Sequence, residues 1–98
     1  MADFDIANNM KAVEMLKCSV LASVTNLYTE MANTGISNAE IADDIADIIM
    51  TTYMLGGRLS IPPATVDAAI KKKLKLMLLS SDSKTFGDLS LLSKHFSK

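Results

Sequence analysis

Glu40, Asp44 and Asp47 are spaced four and then three residues apart. On a helix turning about 100° per residue, that spacing sets three carboxylates on one strip. Asp43 lies one position off it. Like charges so placed repel by about 0.2–0.5 kcal/mol per pair. A hard cation bound through oxygen, Mg²⁺ above all, relieves the repulsion. Solvent relieves it too, and acidic residues in a first turn complement the positive end of the helix dipole. The cationic counterpart is the run Lys71, Lys72, Lys73 and Lys75. The two sets read either as salt bridging across a solvated surface, worth little, or as two halves of a phosphate site. In the second case the carboxylates Asp44, Asp47 and Glu40 hold Mg²⁺, and Lys71, Lys72, Lys75 and Arg58 meet phosphate oxygens. Tyr28 and Tyr53 are candidates to stack on a base, although an aromatic on a helical stripe serves equally as core.

Other chemistries find little support. His95 is the one histidine and lies in the tail, where it complements a helix C-terminus. No G-x-S-x-G, cysteine–histidine pair or phosphate-cradling glycine loop is present. Cys18 is the one cysteine, which excludes an internal disulfide and a cysteine-rich zinc site. Its place beside an apolar stripe predicts a buried, inert thiol. GISNAEIADDIADI has the outline of a turn and recognition helix, but four carboxylates in its first half would face phosphates.

The elements that must position these residues are helices. Met10, Val13, Leu16, Val20, Val24, Leu27 and Met31 recur at three and four, predicting a helix from Ala7 to about Ala32 after a loose lead-in over residues 1–6. Leu21 and Tyr28 add a second apolar line. Such a helix would span about 39 Å, longer than a small globule needs, and predicts a homo-oligomer, dimer or higher. Asn33-Thr34-Gly35 ends it, with Gly35 suited to a left-handed cap. Ser37 and Glu40 form a capping box, and Ile36 with Ile41 a hydrophobic staple. They open a second helix running to about Ile61, with Ile41, Ile45, Ile48, Thr52, Leu55 and Leu59 as its apolar stripe. Pro62-Pro63 breaks the chain and starts a third helix, Pro63 to Leu79, on Val66, Ile70, Leu74 and Met77. Ser80 to Thr85 reads as a turn, and Phe86, Leu89, Leu92 and Phe96 as a short fourth helix.

Bulk properties agree with an all-α bundle of three long helices and a short C-terminal one. The 98 residues suit one domain. They are 49% hydrophobic and 5% aromatic, with seven Met, so the apolar content is aliphatic. Four Gly and two Pro are too few for an all-β fold's turns. A net charge of -1 offers nucleic acid no whole-chain attraction. Acidic residues near the N-terminus and short apolar runs predict a soluble, cytoplasmic chain.

The stretch DDIADIIMTTYMLGGRLSIPPATVDAAIKKKLKLM resembles the second half of the MazG-like nucleotide pyrophosphohydrolases, an all-α family. Asp44-Ile45-Ala46-Asp47 falls on the family's acidic pair E-x-x-D, with Asp in place of Glu. Ser60-Ile61-Pro62 falls on its loop and Lys73-Leu74-Lys75 on its lysine motif. The resemblance implies a helical, oligomeric fold that uses Mg²⁺ to bind nucleoside triphosphates and cleave them to monophosphate and pyrophosphate. The family's E-E-x-x-E motif has no counterpart on the preceding helix, which offers Glu14 and Glu30, sixteen residues apart. The segment KCSVLASVTNLY, without a carboxylate, is expected to face the Asp pair. The combined expectation is a nucleotide-binding or sequestering module that does not hydrolyse its ligand. A Mg²⁺-dependent pyrophosphohydrolase is the alternative, and a helical protein-interaction module the third.

Overall fold

A computed structural model describes residues 2–80 and 83–97, with the side chains of residues 2–4, 83 and 84 left aside. Four helices follow in order: α1 (Ala2–Met31), α2 (Asn38–Arg58), α3 (Pro63–Ser80) and α4 (Ser83–Phe96). No strand occurs among the described residues. The chain divides into two compact units, Met1–Ile61 and Pro62–Lys98, each a helical hairpin.

In the first unit, α1 begins at Ala2, so the expected lead-in is already helical. No glycine or proline interrupts the chain before Gly35. The turn after α1 is closed by an Asn33 side chain, whose Oδ1 accepts from the Gly35 N–H at 3.0 Å, and by Ile36 N–H to the Asn33 carbonyl at 3.3 Å. Gly35 does not take a positive φ. The expected left-handed cap is therefore replaced by an Asx turn. Ser37 is the N-cap of α2 and accepts from the Glu40 N–H at 3.2 Å. The Ser37 hydroxyl also donates to Glu40 Oε1 at 3.2 Å, a side-chain pairing beside the cap in place of the backbone half of a capping box.

Helices α1 and α2 run antiparallel, tied at one end by Asn9 to Arg58 and at the other by Asn26 to Asp44. Their inward residues recur at three and four: Val13, Leu16, Val20, Ser23, Leu27 and Glu30 on α1, and Ile41, Asp44, Ile48, Thr51 and Leu55 on α2. The stripe on α2 is rotated from the expected one, since Ile45, Thr52 and Leu59 are exposed. Cys18 is exposed as well. It sits two residues from both Leu16 and Val20, and two residues turn a helix by about 200°. The ends of the expected α1 stripe, Met10 and Met31, and its second line, Leu21 and Tyr28, face solvent.

The C-terminus of α2 closes on itself. Ile61 N–H bonds the Gly56 carbonyl at 2.8 Å and Ser60 N–H the Gly57 carbonyl at 3.1 Å, the paired bonds of a Schellman motif. Ser60 carries the left-handed φ of 65° that this motif demands. A Cβ on Gly56 would lie 3.2 Å from the Ile61 carbonyl oxygen, so the loop folds tightly onto that glycine. The glycine pair thus permits a close backbone return, and the helix runs through both residues.

In the second unit Pro63 opens α3, as its fixed φ favours. Leu74, 5% exposed, is the one buried apolar side chain among the described residues. Val66, Ile70 and Leu78 flank it, with Leu89, Ser93 and Phe96 of α4 half-buried. Met77, Phe86 and Leu92, expected on these stripes, are exposed. Of the expected turn over residues 80–85, Ser80 ends α3 and residues 83–85 begin α4. Ser81 and Asp82 lie outside the described residues. Among the described residues no helix is long and apolar enough to cross a membrane.

A β-carbon in the left-handed region costs about 1–2 kcal/mol, partly offset by the larger unfolded-state entropy of glycine. Ser60→Gly is therefore expected to stabilise the first unit by about 0.5–1 kcal/mol, read as a melting temperature a few degrees higher. A lower one would show that the Ser60 side chain contributes more than its backbone strain costs.

Candidate functional site

The rotation of α2 puts a carboxylate where the stripe calls for an apolar side chain. Asp44 is 7% exposed, in the seam between Ile41 and Ile48. Its Oδ1 accepts from Asn26 Nδ2 of α1 at 3.1 Å. Its Oδ2 is buried and has no hydrogen-bond partner. An unmet buried carboxylate oxygen costs the desolvation it has lost, about 1–3 kcal/mol or more.

Glu30, one turn beyond Asn26 on α1, is the neighbour. Its carboxyl is raised above the ordinary 4.5, first by a hydrogen bond with Asp44 and then by partial desolvation and the Asp44 charge. Asn26 pulls the other way, and the Glu40 charge adds a smaller upward push. Two neighbouring carboxylates are both acceptors, and a proton on Glu30 or a cation beside the pair relieves their repulsion. The oxygen-only donor set of Glu30 and Asp44, backed by Asn26, suits a hard divalent ion. Among the described residues no group of three or more His, Cys, Asp or Glu converges to hold a metal by itself.

The expected site residues divide between the two units, and those of the first spread along and around its helices. Asp44 is central and Glu40 is near enough for its charge to be felt at Glu30. Asp47 is exposed on the flank of α2. Tyr28 is two residues from Glu30, about 200° around α1, and 67% exposed. Tyr53 is half-buried. Arg58 follows Asp44 by fourteen residues, about 21 Å along α2; its Nη1 donates to Asn9 Oδ1 at 3.5 Å. Lys71 and Lys75 belong to the second unit, where both line a groove of about 550 Å³ with Leu74, Leu78 and Phe96. Lys72 is exposed outside that lining. Glu30 is the residue that sequence reasoning set aside, having weighed it only against Glu14. The signal for it was Asn26 and Glu30 four residues apart, continuing the inward stripe. KCSVLASVTNLY does face Asp44, through Asn26, and the carboxylate comes from the next turn.

A model of the MazG-like family matches residues 6–89. The chain belongs to the MazG-like family. The match takes in α1, α2, α3 and the first half of α4, and so extends well before the stretch that carries the sequence motifs. MazG-like proteins are commonly Mg²⁺-dependent. No curated protein and no solved structure gives a significant match.

A folded-state pKa raised above the unfolded value contributes stability that is complete below pH 4.5 and is lost as pH rises through the folded value. In metal-free buffer the chain is therefore expected to lose melting temperature from pH 4.5 towards neutrality. Glu30→Gln should flatten that slope and raise the melting temperature at neutral pH. An unchanged slope in the variant would show that Glu30 and Asp44 do not share a proton.

Proposed function

We propose that this MazG-like chain is a nucleotide-binding module that holds one Mg²⁺ between Glu30 and Asp44. The buried, partnerless Oδ2 of Asp44 beside the Glu30 carboxyl carries this reading. Mg²⁺ characteristically takes one or two protein carboxylates and completes its shell with phosphate oxygens and water. A seam that offers two carboxylates therefore fits an ion that arrives with a nucleoside triphosphate. Bound there, the ion would neutralise phosphate charge. Asn26 would keep Asp44 oriented through Oδ1, and Glu40 would add a second-sphere negative charge.

Binding without hydrolysis is favoured by the donor count. Two carboxylates hold one ion, whereas a two-metal hydrolytic site needs bridging and flanking carboxylates that the described residues do not bring together. The chain is further proposed to act as a homo-oligomer. Ile6, Met10, Leu21, Tyr28 and Met31 leave an apolar line on α1 in water, of the kind that marks an association surface.

Nucleoside triphosphate with Mg²⁺ is expected to raise the melting temperature; at a hundred times its dissociation constant a ligand stabilises by about 2.7 kcal/mol. Asp44→Asn should weaken that binding at least about tenfold, an effect of about 1.4 kcal/mol. It should also raise the melting temperature of the metal-free protein, because its amide can donate to Glu30. Recovery of intact ligand supports sequestration. Release of pyrophosphate would make the chain a Mg²⁺-dependent pyrophosphohydrolase, and no shift with any nucleotide would leave a protein-interaction module.

A further inference from the structure

The net charge of -1 conceals a division between the two units. Residues 1–61 carry three basic and eight acidic residues, a formal charge of -5. Residues 62–98 carry seven basic and three acidic, or +4. In each unit part of that charge is organised along one helix.

On α2, Glu40, Asp43, Asp47, Met50 and Met54 are all exposed and recur at three, four, three and four. They form a strip on the flank of the helix, acidic first and apolar after. On α3, Lys71, Lys75 and Leu78 line the 550 Å³ groove with Leu74, Leu79 and Phe96. The intervals match. Asp43 to Asp47 and Lys71 to Lys75 are each four residues; Asp47 to Met50 and Lys75 to Leu78 are each three. Laid parallel, the two helices pair acid with lysine twice and then methionine with leucine, in one register.

We propose that the α3–α4 groove receives the acidic α2 strip of a second copy of this chain. The inference rests on the homo-oligomeric reading above and adds a charged contact to the apolar α1 line. Charge complementarity chooses the occupant: opposite charges steer the approach and fix the register, and the leucine-lined groove takes methionine, whose flexible thioether fills irregular gaps. A flat anionic bilayer cannot enter a concave groove between two helices. A nucleotide would find one aromatic, Phe96, and no carboxylate to hold its metal. Strip and groove are different surfaces, so a twofold dimer forms where each copy's strip meets the other's groove, and a ring or a chain where the exchange is not reciprocal.

Light scattering and sedimentation of the full chain across ionic strength test this. Between about 0.01 M and 1 M salt the screening length falls from about 30 Å to about 3 Å, and self-association is expected to weaken at least about tenfold. Lys71→Glu with Lys75→Glu, and separately Asp43→Lys with Asp47→Lys, should each lower the association order with unchanged helical circular dichroism. Mixing the two variants, or joining all four changes in one chain, should restore association, which misfolding could not do. An oligomer indifferent to salt and to both charge reversals would overturn the groove contact and leave the oligomeric reading intact. A wild-type monomer at low salt would overturn both, while the nucleotide assay stands separately from either result.

Discussion

A single carboxylate sets the terms for the first unit. Asp44 occupies a position in the α1–α2 seam that its neighbours Ile41 and Ile48 would lead one to fill with an aliphatic side chain. Its Oδ1 is met by Asn26 and its Oδ2 is not met at all. Burying an ionised group without full partnering is unfavourable, and the seam answers with Glu30, which can carry the missing proton or share a cation. Leucine at position 44 would remove that cost. The acid sits in the seam at the expense of stability.

The surroundings of that pair are thin. The first unit contains no fully buried apolar side chain among the described residues. Much of its aliphatic surface, including Ile45, Ile49, Met50 and Met54, remains in water. At about 25 cal/mol per Å² of apolar surface removed from water, two-helix hairpins gain little alone. The exposed faces are therefore the reserve from which association can draw. Local devices supply the rest: the Ser37–Glu40 cap, the Asx turn at Asn33 and the Schellman closure at Gly56. Each satisfies backbone or cap groups without needing a core.

Most of the helical architecture was legible in the chain. Apolar spacing gave four helices, and Ser37, Glu40 and Pro63 marked two of their starts, because capping and proline geometry depend on a few adjacent residues. The miscast details share one cause. Which of two adjacent stripes faces inward depends on the partner helix, so Asp44 was assigned to the flank and Ile45 to the seam. The left-handed residue falls at Ser60 and not at Gly35 for a similar reason. The Asn33 side chain supplies the first turn, and the close return of Ile61 onto Gly56 forces the second turn's left-handed residue onto Ser60.

The family, the all-helical class and the abundance of carboxylates and lysines follow from the sequence by itself, since they rest on composition, short spacings and a match over residues 6–89. Tertiary structure alone decided which acids meet. Glu30 and Asp44 are fourteen residues apart, and only the antiparallel pairing of α1 with α2 brings them together. It also assigned the lysines to a separate unit with its own groove. Helical period fixes neighbours along one helix; the rotation of one helix against another, set by the sum of many weak contacts, fixes neighbours between helices.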